Sequence, residues 1–145
     1  MESDPSRKIN KYLRLALRRI DGEEYSNAMQ YRHSAVIVKG GRVLSVGRNR
    51  NKTHPDSVSL NTDGELYCRS IHAEMDAISR VKNKDILRGA IIYVARKSRT
   101  GLPGMSCPCK MCQGQINKYG LKRAVFTTDY GTGTLEFTGE QDDPN

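Results

Sequence analysis

Hydrophobic residues recur at helical spacing in the first part of the chain. Ile9, Leu13, Ala16 and Ile20 follow one another at intervals of three or four residues. This spacing predicts an amphipathic helix that enters near residues 4–6 and ends at Gly22. The opposite face is basic.

Shorter apolar runs predict strands. Residues 35–38 and 42–47 flank the Gly40-Gly41 pair and together indicate a β-hairpin. The β-branched run 90–95 predicts a third strand, and residues 122–128 predict a fourth.

Two further helices are predicted, each directly after a polar loop. One begins at His72 and continues to about Lys82, after the loop 49–70; the other runs from Cys109 to Gly120, after the loop 96–108. Loops of such length are often functional.

The order α-β-β-α-β-α-β indicates an α/β fold, with helices flanking one mixed β-sheet of four to five strands in a three-layer-like arrangement. A fifth strand parallel to the fourth would need a crossover of about a dozen residues. Only 17 Gly-rich residues follow Thr128. We therefore expect residues 134–138 to return as an antiparallel strand, or to form none.

Composition places limits on the class of protein. A chain of 145 residues with 37% hydrophobic residues suits one domain, over residues 1–145. No apolar run is long enough to span a membrane, and residues 1–12 lack the apolar centre of a signal peptide, so a cytoplasmic location is expected. The net charge of +8 attracts phosphate, although solubility alone also accounts for it.

Histidine and cysteine positions suggest a metal site. Cys109 and Cys112 are three residues apart at a predicted helix start, and His72 opens the preceding helix. One imidazole and two thiolates fill three tetrahedral positions on Zn²⁺ and leave the fourth for water. A closed structural site that also uses Cys68 or Cys107 is the alternative, and spacing alone does not separate the two.

Glu74 favours the open site. It lies two residues from His72, too close to ligate easily beside it but near enough to reach a metal-bound water. Pro108 further indicates that Cys107 points away from Cys109, which leaves the Cys107 thiol outside the ligand set.

The motifs His72-Ala73-Glu74 and Pro108-Cys109-Lys110-Met111-Cys112 resemble the signature of the zinc-dependent cytidine/deoxycytidylate deaminase superfamily, over roughly residues 7–128. The resemblance implies a cytidine deaminase-like fold and one catalytic Zn²⁺ per chain. It also implies hydrolytic conversion of cytosine to uracil with release of ammonia. Glu74 would carry protons between the water and the base.

Other roles follow from the same resemblance. The backbone N–H of Ala73 would meet the base carbonyl, and the backbone C=O of Cys107 would accept from the leaving amine. Asn49 would bind a sugar hydroxyl, or would simply end a strand. Arg50, Lys52 and His54 could meet a phosphate or could be solvated. Tyr130 is expected in the core rather than on a base.

The substrate is less clearly indicated. His72 as first ligand resembles deoxycytidylate deaminases, but these and tRNA-adenosine deaminases have a parallel fifth strand. An antiparallel ending is shared by free-nucleoside deaminases and bacterial DNA-directed toxins. We expect a small cytosine nucleoside or nucleotide as substrate; single-stranded DNA or RNA, with cytosine or adenine as target, is the alternative. A silent zinc module would require Glu74 to face away. Homo-oligomers are expected by analogy alone.

Overall fold

A computed structural model of the chain describes residues 10–22, 31–51, 70–98 and 101–138. Its helices are α1 (Lys11–Gly22), α2 (Ala73–Ser79) and α3 (Lys110–Lys118), with a 3₁₀ helix at Lys84–Leu87. Its strands, in chain order, are β1 (Tyr31–Lys39), β2 (Arg42–Arg48), β3 (Arg50–Asn51), β4 (Ser70–Ile71), β5 (Ile91–Ser98), β6 (Arg123–Thr127) and β7 (Thr132–Glu136). None of the described helices has the length and apolar character needed to cross a membrane.

Five strands form one mixed sheet in the order β2-β1-β5-β6-β7. Strand β1 is antiparallel to both of its neighbours, β5 and β6 are parallel, and β7 returns antiparallel to β6. Helix α3 makes the crossover between the parallel pair, as such a connection requires. The predicted mixed α/β sheet and its antiparallel final strand are both confirmed.

Helices cover both faces of the sheet. On one face α1 buries Leu13, Ala16 and Ile20 against β1 and β5. On the other face α2 and α3 bury Ile78 and Ile116 against the alternate residues of the same strands. Because successive side chains of a strand point to opposite faces, the all-apolar runs of β1 and β5 supply both cores.

Several element ends differ from the sequence prediction. Strands β1 and β5 extend to the pairs Tyr31↔Ser98 and His33↔Arg96, since backbone pairing does not need apolar side chains. Helix α2 ends at Ser79 because the N–H of Val81 bonds to the carbonyl of Ile78, which closes the last turn early. The predicted entrance of the first helix lies outside the described residues.

The hairpin turn and the long loop also have defined ends. Gly40 and Gly41 have φ of 58° and 78°, which suits the two-residue turn that joins β1 and β2. The predicted loop 49–70 begins and ends in a short ribbon, where β3 pairs with β4. Residues 52–69 lie outside the described part.

Helix α2 approaches β2 very closely at Gly47. A Cβ at this position would lie 2.5 Å from the carbonyl oxygen of Ala73 and would clash with the N–H of Ala77. The hydroxyl of Ser45 donates to the carbonyl of Ala77 at 2.8 Å. Glycine at this position therefore sets the height at which α2 lies on the sheet.

We predict that Gly47→Ala destabilises the fold by on the order of 3 kcal/mol, because backbone atoms of α2 cannot yield as a flexible side chain can. Urea unfolding measures the loss. Gly114→Ala is the matched control: its Cβ would meet nothing within 4 Å, and alanine in α3 should add about 1 kcal/mol. Equal effects of the two variants would contradict this account.

Candidate metal centre and its pocket

His72 and Cys109 occupy equivalent positions in the two helices of one layer. Each is the N-cap residue of its helix, with extended backbone and no hydrogen bond from its side chain to its own helix. Their carbonyls accept the first helical bonds, from the N–H groups of Asp76 at 2.9 Å and Gln113 at 2.8 Å. The backbone of both residues thus caps the helices, and their side chains take no part in capping.

The two side chains meet each other and Cys112. The Nδ1 atom of His72 lies 3.3 Å from the Sγ of Cys112 and 3.6 Å from the Sγ of Cys109. All three ligand atoms lie within 4.8 Å of one another. A tetrahedral zinc with bonds of about 2.0 Å to nitrogen and 2.3 Å to sulfur would hold such atoms roughly 3.6 Å apart. The donor set therefore fits zinc in both chemistry and distance.

The ionisation of the set also suits a metal. Burial lowers the pKa of His72, which favours the neutral imidazole that a metal requires. Cys112 is fully buried in the first turn of α3. Among the described residues, no further His, Cys, Asp or Glu joins the three.

The Cys107 thiol lies outside the group, as the sequence predicted. Its Sγ is exposed and donates to the carbonyl of Pro108 at 3.7 Å. Burial, and then the charge of Glu74, raise the pKa of this thiol, which disfavours a thiolate ligand. The closed alternative with Cys107 therefore has no support from the geometry, whereas Cys68 lies outside the described residues.

A buried hydroxyl network holds the loop before Cys109. The Oγ of Ser106 donates to the carbonyl of Val94 at 2.8 Å and accepts from the N–H of Thr127 at 2.8 Å. The Oγ1 of Thr127 donates to the carbonyl of Gly104 at 2.6 Å. Both hydroxyls are buried between β5 and β6. The network therefore sets the point at which the loop turns into α3.

A cavity of about 250 Å³ opens beside the three candidate ligands. Its lining includes six of the residues singled out in the sequence, namely Asn49, His72, Ala73, Glu74, Cys107 and Cys109. Cys112 is fully buried and does not itself line the cavity, but its Sγ lies 3.3 Å from the Nδ1 of His72, which does. The structure therefore brings the predicted site residues together at one place.

Glu74 faces this cavity from the first turn of α2. The residue is buried, with 5% of its surface exposed. Burial raises the pKa of its carboxyl to about 7, while a hydrogen bond from its own backbone N–H opposes the shift. A buried carboxyl in a polar cavity is typical of a group that exchanges protons near neutral pH.

Asn49 has a bond to β1 as well as a place in the cavity. Its Oδ1 accepts from the N–H of His33 at 2.8 Å, and its own N–H donates to the carbonyl of His33 at 3.3 Å. Because Oδ1 is engaged, a contact with a ligand oxygen would use the amide NH₂. Asn49 thus ends the strand and lines the cavity at once.

Sequence reasoning missed three lining residues: His33, Met105 and Ser106. For His33 the signal was present, since it shares a strand face with Ala35 and lies at the end of an apolar run. Burial, and then the charges of Arg96 and His72, lower the pKa of His33 to about 4. Its imidazole is therefore neutral and can donate or accept a hydrogen bond. Ser106 had no comparable signal.

The prediction for Tyr130 is wrong, and the structure gives Arg50 an ion pair. Tyr130 was expected in the core and is 94% exposed, because it lies in the tight turn closed by the bond from the N–H of Thr128 to the carbonyl of Gly131. Arg50 lies 2.9 Å from the carboxylate of Asp76, so that its guanidinium is held by α2. Lys52 and His54 lie outside the described residues.

Comparison with known proteins also indicates a zinc-binding deaminase family. The family model for the cytidine and deoxycytidylate deaminase zinc-binding region matches residues 6–128. The deoxycytidylate deaminase of Schizosaccharomyces pombe is 29% identical over 116 residues, which are 72% of this chain. The chain spans about a third of the length of that relative, 33%.

Solved structures agree on the fold. The dCMP deaminase of the cyanophage S-TIM5, solved with dCMP and dUMP, matches with a TM-score of 0.56 and 20% identity, over 88% of this chain and 85% of that one. The cytidine deaminase of Burkholderia pseudomallei matches with a TM-score of 0.59 and 19% identity, over 88% and 92% of the two chains.

We predict that Cys109→Ala abolishes stoichiometric zinc binding, whereas Cys107→Ala retains one zinc per chain. The two residues are exposed cysteines of the same loop, so the pair is matched for reactivity and position. Loss of a direct ligand should weaken binding by more than the roughly 10–100-fold typical of an outer partner. Metal analysis after gel filtration measures both. Equal zinc loss in the two variants would refute the three-residue set.

Proposed function

Since the chain belongs to the cytidine and deoxycytidylate deaminase zinc-binding family, we propose that it is a zinc-dependent hydrolytic deaminase of a cytosine nucleoside or nucleotide. The reaction converts the base to the uracil form and releases ammonia. The observation that carries this proposal is the convergence of His72, Cys109 and Cys112 beside a cavity that the buried Glu74 also lines.

Zinc held by these three residues would supply a water activated for attack near neutral pH. Glu74 takes one proton from the attacking water and passes it to the ring nitrogen. It then takes the second proton, from the hydroxyl that has been added to the base, and gives it to the amine, which leaves as ammonia while the base carbonyl forms. A carboxyl with its pKa raised to about 7 accepts and returns a proton with little cost in free energy near neutrality.

Main-chain groups hold the base in this proposal. The N–H of Ala73 lies in the first turn of α2, where helical N–H groups have no partner within the helix, and it donates to the base carbonyl. The carbonyl of Cys107 accepts from the leaving amine, and Asn49 donates to a sugar hydroxyl. All three residues line the cavity.

Cavity size and family resemblance support a small cytosine substrate. A volume of about 250 Å³ is close to the lower limit of small-molecule pockets and suits one nucleoside-sized molecule. His72 as first ligand favours a deoxycytidylate type, whereas the antiparallel β7 favours a free-nucleoside type. Experiment must therefore decide whether the substrate carries ribose or deoxyribose, and whether it is a nucleoside or a nucleotide. We place the reaction in the cytoplasm and expect a homo-oligomer, which light scattering would test.

Single-stranded nucleic acid is the second candidate substrate. The antiparallel β7 also favours it, because bacterial DNA-directed deaminases share that ending. Exposed Lys11, Arg14 and Arg18 on α1 add positive charge. Binding across several phosphates would weaken steeply as salt rises, which a free nucleoside would not show.

A substrate panel tests the proposal. Zinc-loaded protein is offered cytidine, deoxycytidine, CMP, dCMP, cytosine, guanine, adenosine and single-stranded DNA and RNA, and ammonia is measured at two salt concentrations. We expect a small cytosine compound to react, and Glu74→Gln to keep zinc but lose at least about 10³-fold in kcat. A fully active Glu74→Gln, or reaction with oligonucleotides alone, would overturn the first proposal.

We further predict a role for His33 in binding the substrate. Its neutral imidazole faces the cavity, so His33→Val should keep zinc and raise KM about tenfold, the equivalent of one lost hydrogen bond to a polar substrate. His33→Gln should restore part of the loss. Both His33 variants keep the backbone hydrogen bonds between residue 33 and Asn49, so the strand pairing there is unchanged. Unchanged KM and kcat in His33→Val would show that the ring has no part in binding.

A further inference from the structure

Asp76 is a carboxylate enclosed between helix α2 and the end of β2. It is 1% exposed, and an aspartate is rarely buried in this way unless it is paired. Its Oδ2 atom accepts hydrogen bonds from the backbone N–H of Arg48 at 3.0 Å and from the Nε of Arg80 at 3.1 Å. Its Oδ1 atom lies 2.9 Å from a guanidinium nitrogen of Arg50. Donors from two separate parts of the chain thus converge on one buried carboxylate.

The bond from Arg48 arises at the outer edge of the sheet. Strand β2 is the outermost strand on its side, and the N–H of Asn49 points inward, to the carbonyl of His33 on β1. Because successive N–H groups of a strand point to opposite sides, the N–H of Arg48 points away from β1. The described sheet has no strand on that side, and the carboxylate on α2 accepts the bond instead.

The two arginines that pair with Asp76 connect it to different places. Arg80 is the C-cap residue of α2, four residues after Asp76, so its bond stays within one helix. Arg50 belongs to β3 and lies on the other side of Asn49 from Arg48. The carboxylate therefore holds the chain both immediately before and immediately after Asn49.

Asn49 and Glu74 line the same pocket but come from different elements. Asp76 is two residues after Glu74 on α2 and is not among the lining residues. Successive side chains of a helix are about 100° apart, so those of residues 74 and 76 project about 200° apart. Glu74 therefore faces the pocket, while Asp76 faces the segment that carries Asn49.

Burial of the carboxylate strengthens its pair with Arg50. The Arg50 side chain is partly exposed, and an ion pair between two exposed groups would be screened by water and would stabilise little. Asp76 is shielded from water, and a buried carboxylate that loses a partner is destabilising. The guanidinium of Arg50 is therefore held against α2, as a positioning contact requires.

We propose that Asp76 is a positioning residue for the sugar end of the substrate. Through the N–H of Arg48 and the guanidinium of Arg50, it fixes the place of Asn49 relative to Glu74. This role depends on the proposed function, in which Asn49 contacts a sugar hydroxyl and Glu74 acts on the base. The separation of these two side chains then selects a cytosine that carries a sugar over one that does not.

Two arginine variants separate positioning from general stabilisation. Arg50→Gln and Arg80→Gln each remove one partly exposed guanidinium from the same carboxylate. Only Arg50 joins that carboxylate to the segment of Asn49, so a purely structural role of the ion pairs would affect both variants alike. The first measurement is amide hydrogen exchange at Arg48, Asn49 and Asn51 in the zinc-loaded, substrate-free chain.

We expect Arg50→Gln to accelerate exchange at these three amides about tenfold, and Arg80→Gln to change it less than about twofold. Asp76→Asn should resemble Arg50→Gln, because a neutral amide oxygen still accepts from the N–H of Arg48 but no longer attracts the guanidinium. Arg50→Lys should restore part of the protection. Every variant should keep one zinc per chain.

The second measurement is kinetic. It compares the reactive compound with an analogue that lacks the hydroxyls on the sugar ring, such as deoxycytidine with dideoxycytidine. Both compounds either carry or lack a phosphate, so that any contact of Arg50 with a phosphate cancels in their ratio. We expect Arg50→Gln to raise KM about tenfold for the compound with the hydroxyl and less than about twofold for its analogue, with kcat less affected. Arg80→Gln should leave both unchanged.

Equal exchange rates in Arg50→Gln and Arg80→Gln would overturn the positioning role, whatever the activity. Loss of zinc from Arg50→Gln would also overturn it, because the ion pair would then act on the metal centre. An equal rise in KM for both members of the substrate pair would exclude a sugar-selecting role. If exchange differs as expected but no cytosine compound reacts, the deaminase proposal fails and sugar selection with it, whereas the hold of Asp76 on the segment of Asn49 stands.

Discussion

The candidate metal centre depends on two helices beginning at the same place above the sheet. His72 and Cys109 are 37 residues apart in the chain, yet their ligand atoms lie 3.6 Å apart. A shift of either helix by a fraction of a turn would separate them. The positions of α2 and α3 along the sheet are therefore the constraint on which the metal centre depends.

Each height is set by a different contact. Gly47 lets α2 lie against β2 closer than any side chain would allow, and Ser45 bonds to the same helix. For α3, the Ser106 hydroxyl ties the preceding loop to β5 and β6. One contact is steric and the other is a hydrogen-bond network, but both join a ligand-bearing helix to the centre of the sheet.

Burial then gives the pocket its chemistry. It lowers the pKa of His33 and His72 and raises that of Glu74, so that each group tends toward its neutral form. A neutral imidazole can bind a metal or a polar ligand, and a carboxyl near pKa 7 can exchange protons. The same helix that carries Glu74 into this pocket carries Asp76, which lies against Arg80 and Arg50.

The sequence by itself indicated the main helices and strands and their order, because these follow from local spacing, and the two motifs together with Glu74 indicated the candidate ligands. Gly40-Gly41 indicated the hairpin turn, and the two motifs placed His72, Cys109 and Cys112 near helix starts. The tertiary structure alone decided which distant residues meet. In the folded chain Tyr130 is exposed to solvent, and Arg50 forms an ion pair with Asp76. His33 and Ser106 line the pocket. These outcomes depend on contacts between residues far apart in the chain, which the spacing of neighbouring residues does not encode.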